Sequence, residues 1–192
     1  MDESYLIAQA KKNDVNAFNT IVLHYQDLAF TVAYRIMGDP DSAADAAQDA
    51  FINAYQKLDS FKGGNFKAWL MRIVTNKCYD MLKSAKYKRE SSLDEITEEN
   101  ESSRLLVGRA NRPEATQQQE EMFEAIQNCL DNLPDDQRIV AILCDVEGYD
   151  YQTAAEIAEA SLGTIKSRLS RARTKLRDCL RGFGELLPAR YR

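Results

Sequence analysis

The stretch GYDYQTAAEIAEASLGTIKSRLSRARTKL, residues 148–176, decides the fold. It reads as two short helices joined by a tight turn. In the second helix Leu162, Ile165, Leu169, Ala172 and Leu176 recur at steps of three and four, which draws one apolar stripe. Lys166, Ser167, Ser170, Arg171 and Thr174 fall on the opposite side. Ser161 precedes the stripe and suits an N-cap, because a short side-chain oxygen there accepts an orphan backbone N–H. Tyr151, Ala154, Ala155 and Ala158 supply the packing face of the first helix. The small Ala155, ten residues before Ile165, lets the two helices cross closely. A helix that is narrow and basic on its outer face fits the major groove of DNA.

The blander explanation is an amphipathic helix whose charges are merely solvated. Such a surface normally mixes signs. Here Lys166, Arg168, Arg171, Arg173, Lys175, Arg177 and Arg181 stand against Asp178 alone. The segment therefore reads as a helix-turn-helix that binds DNA. The net charge of −5 over 192 residues argues the other way only if charge is averaged. It is distributed in blocks: basic over 62–89 and 166–192, acidic over 39–59, 94–121 and 131–159. The local field decides where a polyanion can sit.

Upstream, apolar residues again follow helical spacing. Leu6, Ile7 and Ala10 begin one helix, and Ala17, Phe18, Ile21, Val22 and Tyr25 begin a second that ends near Gly38-Asp39-Pro40. A third helix, about 41–58, has Ala44, Ala47, Phe51, Tyr55 and Leu58 as its stripe. Asp45, Gln48, Asp49 and Ile52 share its outward face. Residues 59–66 form a loop holding Gly63, Gly64, Phe61 and Phe66. A fourth helix, about 67–89, buries Trp69, Leu70, Ile73, Val74 and Leu82, while Arg72, Asn76, Lys77, Asp80, Lys83 and Lys86 make a polar, mostly basic remainder. A glycine loop with aromatics beside a basic helix suits single-stranded nucleic acid, with cations tracking phosphates and rings stacking on bases. The alternative is that the rings are core, and for Trp69 that is the better reading.

After Glu90 the chain turns rich in Ser, Glu and Asn, as a flexible acidic linker does. Helical spacing returns with Met122, Phe123, Ile126, Cys129, Leu130 and Leu133. Pro134 then opens a further helix with Asp135 and Asp136 in its first turn. No stretch alternates like a strand. The expected fold is all-α, with small helical domains at 1–90 and 114–185 joined by a linker over 91–113. Cys78, Cys129, Cys144 and Cys179 have no metal-ligand spacing, and His24 has no ligand-like neighbours, so four reduced thiols and no metal or cofactor are expected. No signal-like or membrane-length apolar run occurs, which predicts a soluble, cytoplasmic protein without membrane insertion. No nucleophile–base set or phosphate-binding loop points to an enzyme.

The ordered set AFNTIVLHY (17–25), DAAQDAFINAYQKLDSFKG (45–63), FKAWLMRIVTNKCYDML (66–82), LPDDQR (133–138) and the 148–176 stretch resembles the extracytoplasmic-function sigma factors of bacterial RNA polymerase. The resemblance covers nearly the whole chain and implies a region 2 domain, a linker and a region 4 domain. It implies that Asp45, Gln48, Asp49 and Ile52 dock on the β′ clamp helices of core polymerase. It implies that Phe61, Lys62, Asn65, Phe66, Asn76, Lys77 and Asp80 hold single-stranded bases of the promoter −10 element. Lys166, Ser167, Ser170 and Arg171 would read the duplex −35 element, with Thr164, Arg168 and Arg173 nearer its phosphates. It further implies a contact of region 4 with the β flap, and an anti-sigma factor as inhibitor. Three departures from the family pattern stand out: Glu159 occupies the turn position usually held by glycine, with Ala160-Ser161 where a more apolar pair is usual; the 61–66 loop is a residue shorter than in some relatives; and Ser170 replaces a larger side chain.

Two rival functions are open to the sequence. A dimerising helix-turn-helix repressor would bind DNA tightly by itself, but it leaves the pattern over 45–89 unexplained. A module that only titrates an inhibitor would not need the cations of 166–173.

Overall fold

The computed structural model describes residues 2–91 and 117–184, with side chains described over 2–87 and 120–184. Apart from Ser91, the linker expected over 91–113 lies outside the described residues, as does the basic end of the chain beyond residue 184. Among the described residues eight α-helices follow one another: α1 (Glu3–Ala10), α2 (Val15–Met37), α3 (Pro40–Gln56), α4 (Phe66–Ser91), α5 (Gln117–Asp131), α6 (Asp135–Ala141), α7 (Tyr151–Ile157) and α8 (Leu162–Arg181). Among the described residues there is no strand.

Local chemistry sets most of the boundaries. Asp14 accepts the N–H groups of Asn16 and Ala17 at the start of α2, and Asp39 accepts that of Ser42 ahead of Pro40 at the start of α3. Between them Gly38 closes α2 in the left-handed conformation, φ +74°. A Cβ placed on Gly38 would stand 2.7 Å from a carboxylate oxygen of Asp131, so the absence of a side chain also lets α5 approach. After α6 the helix widens into a π turn over Ile142–Val146, and Gly148, φ +71°, ends it.

Helices α1–α4 pack into one bundle around Ile21, Val32, Ile36, Leu70, Met71 and Val74, all essentially sealed from water. The stripe on α3 is rotated from the expected one. Ala43, Ala46, Ala50 and Ala54 line the core with Ala47 and Phe51, whereas Ala44 is exposed and Tyr55 half-buried. An alanine-rich helix sits close to its neighbours, and Ala is small enough to occupy either face without much cost. On α4 the stripe is likewise centred on Leu70, Met71, Val74 and Cys78, with Trp69, Ile73 and Leu82 at its margins. Helices α5–α8 form the second bundle, around Ile142, Leu143, Ile157, Ile165 and Leu169. Each such side chain contributes about 1.5–3 kcal/mol on leaving water.

The two bundles pack against each other, and their buried residues form one continuous cluster. Arg138 on α6 donates to the Ile36 carbonyl at the end of α2, at 2.5 Å. Arg35 meets Glu147 at 2.5 Å, Lys86 meets Asp135 at 3.6 Å, and the Lys67 ammonium lies 5.2 Å from the ring centre of Tyr149. Burial pushes the Tyr149 phenol up to about 12, with the Glu147 charge adding to it.

One sequence expectation is overturned outright. Cys129 on α5 and Cys179 on α8 are joined by a disulfide, so the four thiols are not all reduced. Cys78 and Cys144 remain free; burial pushes the Cys78 thiol up to about 12. The bridge closes a loop with a sequence separation of 50 residues and links the first and last helices of the second bundle. By chain entropy such a closure is worth about 4 kcal/mol. We expect Cys129→Ser, Cys179→Ser or a reductant to lower the unfolding free energy of the α5–α8 bundle by up to about 4 kcal/mol. Denaturant titration with and without dithiothreitol checks this, and equal midpoints would rule out the contribution.

Candidate functional site

Helix α7 starts on Asp150, whose carboxylate accepts the N–H groups of Gln152 and Thr153 at 2.9 Å each. These bonds, the Thr153 N–H foremost, hold the Asp150 carboxyl below the usual range. Helix α8 starts on Ser161, whose hydroxyl accepts the Thr164 N–H at 3.1 Å, as the sequence predicts. Between the helices Glu159 takes a left-handed conformation, φ +47°, and the Ala160 N–H returns to the Ala155 carbonyl at 3.0 Å.

The stripe of α8 narrows to Ile165, Leu169 and Ala172, all buried; Leu162 is 43% exposed and Leu176 half-buried. On α7, Ala154 and Ile157 carry the packing, while Tyr151 turns outward. Ile157 was missed among the alanines because the packing face was drawn one residue round. The outward face of α8 carries Lys166, Ser167, Ser170 and Arg171, all exposed and on adjacent turns. Arg168 and Arg173 lie differently from the rest. Arg168 is paired with Asp136 at 2.9 Å, and Arg173 makes a two-pronged contact with Asp145 at 3.0 and 2.6 Å. Thr164 is half-buried at the helix start, where its hydroxyl meets that of Ser161 at 2.8 Å. Acids of the preceding helices thus orient the cations at the edge of the face.

In the first bundle, Asp45, Gln48 and Ile52 are exposed together on α3, and Ile52 leaves 49% of its surface in water. Asp49, beside them, reaches Lys77 of α4 at 2.7 Å, so the structure joins two residues assigned to different tasks. An apolar groove of about 570 Å³ runs beside this face between α2 and α3, lined by Phe18, Val22, Phe30, Ala47, Phe51 and Ile52. Of the α2 wall of that groove, Phe18 and Val22 read in the sequence only as members of the core stripe, and Phe30 carries no sequence signal of its own.

The loop before α4 departs from expectation. Phe61 and Phe66 do not stand out to receive bases: they are 7% and 1% exposed and pack edge-on to each other at 5.3 Å, with Trp69 against both. Lys11 donates to the Phe61 carbonyl and holds the strand of loop down. The side-chain oxygen of Asn65 accepts the Ala68 N–H at 3.0 Å, so Asn65 caps α4. Lys62, Gly63 and Gly64 are exposed, and both glycines have positive φ with open space around them. On α4, Asn76 and Lys77 are half-buried and Asp80 is exposed. Glu159 of the second bundle accepts from both Arg72 and Asn76, a contact across the bundles that no sequence signal foretells.

Comparison with known proteins gives a consistent result. The family model described as Sigma-70 region 2 matches residues 21–87, and that described as Sigma-70, region 4 matches 123–176. The chain is 33% identical over 175 residues to the ECF RNA polymerase sigma-E factor of Escherichia coli K12, covering 90% of this chain and 91% of that protein. It is 31% identical over 164 residues to the ECF RNA polymerase sigma factor SigE of Mycolicibacterium smegmatis, covering 85% of this chain and 62% of that one. Among solved structures it is similar to the sigma factor RpoE of Bartonella quintana, crystallised with the anti-sigma factor NepR. There the TM-score is 0.68 at 30% identity, over 87% of this chain and 98% of that one. It is also similar to CnrH in complex with the cytosolic domain of CnrY, with a TM-score of 0.65 at 26% identity, over 95% and 99% of the two chains.

Because Ser161 satisfies the first turn of α8, Ser161→Ala should lower stability by about 1 kcal/mol through loss of the cap. Urea unfolding followed by circular dichroism reads this, and an unchanged midpoint would show the cap to be dispensable.

Proposed function

This chain belongs to the sigma-70 family, as an extracytoplasmic-function sigma factor directing promoter-specific initiation by RNA polymerase, and we propose how its exposed faces divide that work. One observation carries the reading: Lys166, Ser167, Ser170 and Arg171 are exposed together on α8, directly opposite the buried Ile165, Leu169 and Ala172. A helix held from behind in this way can enter the major groove of the −35 element. A bidentate contact there discriminates bases by about 1–3 kcal/mol. Thr164, Arg168 and Arg173, at the edge of the face, are assigned to the phosphates. Their pairing with Asp136 and Asp145 fixes the arginine directions before DNA arrives.

Asp45, Gln48, Asp49 and Ile52, with the neighbouring apolar groove, are assigned to the β′ clamp helices, and the second bundle to the β flap. Lys62, Asn76, Lys77 and Asp80 are assigned to the −10 strands, where donors and acceptors on α4 meet unpaired bases and Lys62 meets phosphate. Unstacking a base costs a few kcal/mol, which these contacts must return. Phe61, Phe66 and Asn65 support this face from beneath. The protein contributes recognition in the cytoplasm, and catalysis belongs to the polymerase. The RpoE structure contains the anti-sigma factor NepR, which supports an anti-sigma factor as the inhibitor of this chain.

The test is run-off transcription by core RNA polymerase on pooled genomic promoter fragments, with and without the protein. Transcripts that depend on it, sharing −35 and −10 sequences, are expected. Absence of such transcripts, together with retardation of DNA by the protein alone as a dimer, would instead identify a repressor. Arg171→Ala should reduce promoter-specific transcription by about 5- to 150-fold, the equivalent of one base-reading contact. Polymerase binding should persist in that variant. Asp45→Arg should do the reverse, weakening polymerase association while α8 stays folded.

A further inference from the structure

The contact between Glu159 and α4 joins two surfaces that both face nucleic acid in the reading above. One carboxylate oxygen of Glu159 accepts from the Arg72 guanidinium, and the other accepts from the Asn76 amide at 3.0 Å. Glu159 sits in the turn of the helix-turn-helix with φ +47°, a conformation glycine adopts freely and a glutamate does not. The backbone would be less strained with glycine, yet the position carries a side chain long enough to cross to the first bundle. The two bundles also meet through the Lys86–Asp135 ion pair and through the Lys67 ammonium over the ring of Tyr149.

We propose that Glu159 is an internal competitor for the −10 strand, docking the turn of the helix-turn-helix onto Arg72 and Asn76 and closing the free protein. This rests on the assignment of Asn76 to the −10 element. Two oxygens on one carbon, bridging a guanidinium and an amide, offer those donors what a phosphate or a base edge offers them. While they are occupied, single-stranded DNA must displace the carboxylate before it can bind. Moving the α5–α8 bundle away, as spanning two promoter elements requires, withdraws the competitor from α4. The contact is half-exposed on both sides, with side-chain exposures of 49% for Arg72 and 47% for Glu159. Such a pair is weak and readily opened. The device is therefore a bias that the polymerase overcomes, and it acts on the free protein alone.

The experiment measures binding of the full-length protein to a fluorescent single-stranded oligonucleotide spanning the −10 region of a promoter mapped by run-off transcription. Glu159→Gly removes the side chain and relieves the turn, and Glu159→Gln removes the charge while keeping the shape. Both are expected to tighten binding by about 2- to 5-fold, the range set by loss of one partly exposed ion pair. Equal affinities for wild type and both folded variants would overturn the proposal. Asn76→Ala in the reconstituted holoenzyme separates the two levels. If it leaves −10 opening intact, the assignment of Asn76 fails. If it impairs opening while the Glu159 variants bind as wild type does, only the competitor fails.

Discussion

The arrangement turns on the buried guanidinium of Arg138. Taking a charge out of water is costly unless it finds partners, and this one is met at its two terminal nitrogens by the carbonyls of Ile36, Asp131 and Leu133, with the carboxylates of Asp131 and Asp135 nearby, while its Nε is buried without a hydrogen-bond partner. Two of those carbonyls lie at the corner between α5 and α6, and the third closes α2. One side chain thus shapes the entry to the second bundle and fastens that bundle to the first. Removing such a partner leaves carbonyls stranded in a dry interface, a loss of about 3–5 kcal/mol for a broken buried pair. The contact of Glu159 with Arg72 is about half-exposed on both sides, so water competes for it, whereas Glu147 and Asp135 are largely sheltered beside the Arg138 contact.

Much of this was legible from the chain itself, because its signals are local. The cap at Ser161, the helix-ending Gly38 and the stripe at Ile165, Leu169 and Ala172 all depend on residues within a few positions of each other. What was missed depends on partners far along the chain. Cys129 and Cys179 are 50 residues apart and lack any motif. Glu159 and Asn76 belong to different bundles. The rotation of the α3 stripe has another cause: Ala43, Ala44, Ala46 and Ala47 are nearly interchangeable by hydrophobicity, and only the shape of the neighbouring helices selects among them. The placement of Phe61 and Phe66 was open in the sequence, because an aromatic beside glycines fits a stacking platform and a core plug equally well; in the folded chain Trp69 completes a plug.

Electrostatics explain how a chain with net charge −5 can approach a polyanion. The acids of the second bundle do not simply oppose the cations of α8. Asp136 and Asp145 pair with Arg168 and Arg173, so part of the negative charge of the second bundle is matched within it. Lys166 and Arg171, further out, face solvent directly. The same logic applies across α3 and α4, where Asp49 holds Lys77.

Gly38 carries a consequence for how such a chain can diverge. It ends α2, yet the space its missing side chain leaves is filled by Asp131 from another domain. An exchange to asparagine, which tolerates the left-handed turn, would satisfy the helix end and still collide with the carboxylate. Positions 38 and 131 are therefore not free to drift separately while the closed form is kept. A chain that abandons closure is released from that constraint, and position 38 can then take a side chain that tolerates the left-handed turn without any change at 131.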